Sequence, residues 1–232
     1  MIRYDVIEGK RPREILLLKG RPCAWGKCAF CDYIEDNADD ENIINSVNYA
    51  ELRRVTGIYK ALEVINSGSV FELTDETLSG IKKITAKKNI SSLYFESSYM
   101  YKNKLNEIRD YFGCNVIFKC GIETFDDCFR NKILKKGINL RYPEEAAEYF
   151  DSVCLLVGVK GQTKEMIDRD IDILLKSYKL GCINIFQENS TAIKADAKLI
   201  EWFKEKYSFL NDYNNIDVLW NNTDFGVGGI NK

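Results

Sequence analysis

Histidine is absent from all 232 residues, and there are only three prolines and three methionines. Without imidazole the chain can build neither a His-based acid–base pair nor His-ligated zinc or haem. Demanding chemistry must come from Cys, carboxylates, Lys, Tyr or a cofactor. An excess of one charge is also missing. Lys and Arg number 33 against 35 Asp and Glu, a formal charge of −2, so no global basic field favours nucleic acid. A local basic patch stays open. No run approaches the roughly 18 to 20 apolar residues of a membrane span, and the opening MIRYDVIEGKRPRE has no apolar signal core. The expectation is a cytoplasmic protein with no membrane partner. No Pro- or Gly-rich linker, low-complexity stretch or short repeat interrupts the chain. One domain over 1–232 is expected, with a core of about 14–207 and a C-terminal segment, 208–232.

Eight cysteines are present. Cys114, Cys120, Cys128, Cys154 and Cys182 are scattered singly, and Cys120, Cys154 and Cys182 fall in apolar runs, where small buried hydrophobes are the ordinary reading. Six short apolar runs read as strands: Glu14 to Lys19, Ala61 to Asn66, Ser92 to Glu96, Asn115 to Ile122, Ser152 to Val159 and Cys182 to Gln187. They are nearly continuous rather than alternating, as in a parallel sheet covered on both faces. Segments of helical period lie between them. Thr74 caps one, Asp126 to Lys136 stops at Gly137, Thr163 caps another that stops at Gly181, and Ala195 to Tyr207 follows the sixth strand. Six βα units predict an α/β fold: a partial (β/α)6 TIM-type barrel with parallel strands. Active faces of such folds lie at the strands' C-terminal ends. The polar residues there are Cys23 to Cys31, Ser67 to Ser69, Glu96 to Ser98, Glu123, Lys160 to Gln162 and Gln187 to Ser190.

After the first strand comes R-P-C-A-W-G-K-C-A-F-C-D-Y, with Cys23, Cys28 and Cys31 in a C-x4-C-x2-C arrangement. Three thiolates without histidine leave one coordination position open on a metal centre, where a small molecule can bind and be activated. A zinc site completed by a distant cysteine, a redox or ordinary cysteine trio, and a ferredoxin-like carrier remain alternatives. The carrier fits poorly with a chain this long.

This loop resembles that of the radical S-adenosylmethionine superfamily, in which three cysteines follow the first barrel strand and an aromatic, here Phe30, precedes the third. The usual spacing is C-x3-C-x2-C, so one residue is inserted here. N-S-G-S (Asn66 to Ser69) resembles the loop that approaches the cofactor's amino group. G-I-E-T (Gly121 to Thr124) and L-L-V-G-V-K-G-Q-T (Leu155 to Thr163) resemble elements of the branch containing tRNA-modifying enzymes, with Lys160 replacing the usual proline. The resemblance covers about Glu14 to Tyr207. It implies a [4Fe–4S] cluster on Cys23, Cys28 and Cys31, S-adenosylmethionine as cofactor, and an external electron donor such as flavodoxin or ferredoxin. It places Phe30 and Tyr33 near the adenine, and Ser67, Gly68 and Ser69 near the methionyl amine. Glu96 and Glu123 would accept from the ammonium or ribose, or else be solvated carboxylates. Lys119 would meet the methionyl carboxylate, or else be structural. Gln187 would contact the ribose or adenine.

No second cysteine cluster and no separate basic module are present, which favours a small molecule over a polynucleotide. Ile216 to Gly229 mixes aromatics, amides and glycines and is expected either to close over the barrel mouth or to be a loose terminus. Trp220 and Phe225 offer stacking faces, Asn221 and Asp224 hydrogen bonds, and Glu188 or Asp224 a carboxylate for a guanine-like edge. Within the superfamily the chain is similar to the queuine lyases. That resemblance implies a deazapurine base as substrate and C–N cleavage of queuine to 7-aminomethyl-7-deazaguanine. A radical enzyme modifying tRNA and a zinc-binding, non-catalytic protein are the alternatives. No catalytic side chain is singled out.

Overall fold

The computed structural model describes residues 2–221. They fall into two compact units: one of residues up to Gly26 with Tyr33–Lys119, the other of Lys27–Asp32 with the residues from Cys120 onward. Strands are ordered β1 to β8 in chain sequence.

The first unit holds β1 (Tyr4–Ile7), β2 (Arg13–Leu18), β3 (Ala61–Asn66), β4 (Ser92–Glu96) and the Asn115 to Lys119 part of β5 (Asn115–Glu123). β1 is antiparallel to β2, while β2–β3, β3–β4 and β4–β5 are parallel. Every residue of β2 is buried: the apolar run Ile15 to Leu18 as a covered strand demands, and the charged Arg13 and Glu14 with it. Helices α1 (Glu41–Leu52), α2 (Asp75–Lys88) and α3 (Leu105–Phe112) belong here too. Thr74 caps α2 as expected, accepting from the Thr77 N–H, and Asn89 ends it in the left-handed region. A charged cluster lies buried in the strands. Glu63 accepts from Arg13 Nε at 2.5 Å and from Lys119 Nζ.

The second unit carries the end of β5, then β6 (Ser152–Val157), β7 (Leu180–Ile185) and β8 (Ile216–Leu219), with β6–β7 and β7–β8 parallel. Its helices are α4 (Lys164–Ser177), capped by Thr163, and α5 (Ala197–Tyr207), capped by Asp196.

Two expectations are corrected. The segment predicted as a helix over Asp126 to Lys136 contains instead a π-turn at Phe129–Ile133. Buried Arg130 sits inside it and donates to the carbonyls of Thr124 and Ile138 and to Asp127, so the turn widens around a guanidinium. Gly181 does not stop α4, which ends at Ser177. It lies inside β7, where a Cβ would stand 2.6 Å from Leu174 Cδ1 and 2.9 Å from Ile216 Cδ1. The segment from Ile216 begins as strand β8, with Ile216 in register with Gly181.

Past β6, Gly158 has φ +92°, and a Cβ there would meet Ile200 Cγ1 at 2.3 Å. Gly158→Ala should therefore cost at least about 2 kcal/mol from strain and overpacking. A urea midpoint equal to wild type would contradict this.

Candidate active site

In the first unit, the loop after β3 is the N-S-G-S element. Ser67 and Ser69 are both buried. Ser69 Oγ donates to Ser97 Oγ at 3.1 Å, and its N–H donates to Glu72 Oε2 at 2.5 Å. By contrast, Asn66 Oδ1 and Ser67 Oγ are buried without a hydrogen-bond partner among the described residues. Buried polar atoms are seldom left so, and an orphan pair at a strand's C-terminal end suits a ligand's polar group. Gly68 has φ +153°. A Cβ there would lie 3.0 Å from Glu72 Oε2 and 3.5 Å from both Cα and Cβ of Cys23. The glycine lets the backbone close on the cysteine loop. Cys23 is a half-buried free thiol. Gly26, at φ +58°, supplies the left-handed turn in the loop leading on from it. Tyr33 is buried and opens a 3-10 turn to Asp36, which pairs with Arg3 and Lys19. Glu96 is half-buried at the end of β4, in register with Lys119. Lys119 has an internal carboxylate partner in Glu63.

In the second unit, Cys28 and Cys31 are half-buried, outside any disulfide, and flank Phe30. The Cys31 N–H donates to the Cys28 carbonyl at 3.3 Å. Phe30 is a core side chain, packed with Phe129, Leu134, Leu156, Val159 and Phe186. Two bonds fix the loop backbone: Ala29 N–H to Leu134 O at 2.9 Å, and Asn189 Nδ2 to Phe30 O at 2.8 Å. Glu123 closes β5 with φ +68° and accepts from Lys136 Nζ at 2.7 Å. Lys136 also lies over the Phe30 ring, 5.5 Å from its centroid. Burial alone would lower the pKa of this ammonium, but the charges of Glu123 and Cys28 override it and hold the pKa well above its ordinary value. Gly121 leaves room for the pair, since a Cβ would stand 2.5 Å from Glu123 Oε1. Gln162 ties off β6, accepting from the N–H groups of Gly158 and Val159 and donating to the Leu156 carbonyl.

Gln187 is half-buried just past β7. Glu188 is exposed and accepts from Lys194 and the Ala195 N–H, which lower its pKa. Trp220 packs on Phe203 of α5, ring centroids 5.7 Å apart, and donates to Asn211. Asn221 is the last described residue, and Asp224 and Phe225 lie outside the described residues. Sequence reasoning missed Glu72 and Lys136, which carry no motif of their own, while Asn189 falls in the strand-end stretch Gln187 to Ser190. Glu72 alone had a local sign, standing three residues after Ser69 as in a capping box. Among the described residues no group of three or more Cys, Asp, Glu or His side chains is gathered as a metal site.

By residue type alone, three cysteines outside any disulfide and no imidazole suit iron–sulfur ligation with one open iron, and within the first unit a glycine turn lies beside Cys23. No protein-family model matches the chain. A queuine lyase from Clostridium spiroforme, solved bound to S-adenosylmethionine and queuine, is 53% identical. The match covers 98% of this chain and 99% of that one, with a TM-score of 0.95. An uncharacterized protein of Methanocaldococcus jannaschii is 29% identical over 218 residues, 84% of this chain, and the chain spans 59% of that relative's length. The fold and its strand-end loops define a radical S-adenosylmethionine lyase of the α/β, partial TIM-type barrel class. Within that class, the chain belongs to the queuine lyase family.

Proposed function

We propose that the chain cleaves S-adenosylmethionine reductively at a [4Fe–4S] cluster held by Cys23, Cys28 and Cys31. In this reading it uses the resulting hydrogen abstraction to break a C–N bond of queuine, releasing 7-aminomethyl-7-deazaguanine for queuosine salvage. The observation that carries this is the whole-chain match, at 53% identity, to a queuine lyase with both molecules bound. The cluster, when bound, supplies the single electron that opens the sulfonium; an external flavodoxin or ferredoxin is the proposed donor.

The chain's own residues position and shield. Asn189 and Leu134 hold the backbone between Cys28 and Cys31, and the Phe30 core excludes water beneath those thiols. The Ser67 hydroxyl and the Asn66 side-chain amide oxygen, without partners among the described residues, suit the methionyl ammonium, with Gly68 and Ser69 shaping the turn. Lys136 fixes the Glu123 carboxylate, which suits a ribose hydroxyl or the ammonium. Glu96, Tyr33 and Gln187 are proposed to line the cofactor. Glu188, Trp220, Asn221, Asp224 and Phe225 are proposed to meet the base, with a carboxylate of Glu188 or Asp224 accepting from its N–H edge.

Anaerobically reconstituted protein, given queuine, S-adenosylmethionine and a reductant, should release the aminomethyl base, read by mass spectrometry. 5′-Deoxyadenosine without base release would remove the lyase assignment and leave the radical class. Protein that retains zinc and no iron would remove both.

A further inference from the structure

The Glu72 carboxylate sits where three strand-end loops of the first unit meet. It ends the 3-10 turn Val70–Glu72 after β3 and is buried. Oε2 accepts the Ser69 N–H at 2.5 Å. Oε1 accepts the Tyr101 hydroxyl at 2.8 Å, from the turn after β4, and the Ala24 N–H at 3.4 Å, from the loop after β2. The backbone carbonyl of Glu72 accepts the Arg21 N–H at 2.8 Å. Arg21 and Ala24 bracket Cys23, so a single residue grips the chain on both sides of that thiol. Gly68 packs directly against Cys23. The Tyr101 ring is stacked on Phe71 with centroids 4.5 Å apart, which fixes where its hydroxyl points. Burial first, then Glu72, push the Tyr101 hydroxyl pKa well above its ordinary value, in keeping with a phenol held as a donor to that carboxylate.

We propose that Glu72 is a positioning residue that sets Cys23 and the Ser67–Ser69 turn in one fixed relation, so that the cluster thiolate and the cofactor's ammonium site are placed together. This rests on the cluster and cofactor reading above. A capping box accounts for the bond to Ser69 and for nothing else. The bonds to Ala24, Arg21 and Tyr101 reach outside the turn, to the cysteine loop and the next strand-end.

Glu72→Gln keeps the shape but turns one acceptor oxygen into a donor, set against N–H or O–H donors that already point at it. In reconstituted enzyme, the Kd for S-adenosylmethionine should rise about tenfold, and the cofactor-induced change in the cluster's EPR spectrum should weaken. Tyr101→Phe removes one bond without reversing any, and should raise Kd about threefold. Before reconstitution, alkylation of Cys23 by iodoacetamide, read peptide by peptide, should run several-fold faster in Glu72→Gln, while Cys31 keeps its rate. A lowered urea midpoint with wild-type Kd, EPR response and Cys23 reactivity in both variants would overturn the proposal and leave a capping role. Wild-type protein that takes up no cluster would overturn the functional reading instead, and the alkylation rates would still decide whether Glu72 holds Cys23.

Discussion

Replacing Cys31 by alanine should abolish iron retention and lower 5′-deoxyadenosine formation at least about a thousandfold, because in the proposed reaction the cluster supplies the step no side chain here can perform. The fold should survive. The Cys31 thiol is half-buried and in no disulfide, and the loop backbone is held by other atoms: the Cys31 N–H to Cys28 O, Ala29 N–H to Leu134 O, Asn189 Nδ2 to Phe30 O, and the Phe30 core. None of these uses the sulfur. Cys154→Ala supplies the contrast. Cys154 is buried in β6, so its loss leaves a small cavity costing about 1 kcal/mol and should leave iron untouched. Iron and acid-labile sulfide per chain, measured beside the urea midpoint, separate the two. A Cys31→Ala protein that holds full iron would remove that thiol from the ligand set.

Glu63→Ala should produce the largest loss of stability, about 3–5 kcal/mol. Glu63 is shared by Arg13 and Lys119, and all three are buried. Removing the carboxylate leaves two cations without it inside the strands. Replacing all three by apolar residues would be far milder, since the penalty comes from stranding charge rather than from losing attraction. The pH dependence follows. Burial alone would raise the Glu63 pKa, but Lys119 and Arg13 overcome it and hold the group at about 2, below its ordinary 4.5. A depressed folded-state value contributes stability above the ordinary range and loses it as pH falls from about 4.5 toward 2. Glu63→Gln should flatten the denaturation profile over that window. An unchanged profile would mean that other carboxylates govern acid unfolding.

Much of the fold was legible because buried parallel strands are written as continuous apolar runs. The six predicted strands match β2 to β7, with ends shifted by a few residues, and Thr74 and Thr163 mark helix starts through a local side-chain bond. β1 and β8 were not legible. At four residues each they are too short to show a period, and pairing with β2 and β7 is what makes them strands. The π-turn at Phe129–Ile133 was hidden for a related reason. Its shape depends on what Arg130 bonds on either side, which acidic and basic spacing does not reveal.

By itself, the sequence determined the chemistry available. It has no imidazole, it has three cysteines spaced for one metal centre after a strand, and glycines and polar residues follow at later strand ends. Thiolate spacing and strand patterning are local properties, readable within a dozen residues. Only the tertiary structure decided how those groups are held. Glu72 is 49 positions from Cys23 and Lys136 is 106 from Phe30, yet Glu72 bonds the neighbours of the first and Lys136 lies over the ring of the second. A carboxylate or ammonium acquires such a role from the donors and rings that folding places around it, and no local pattern records which these will be.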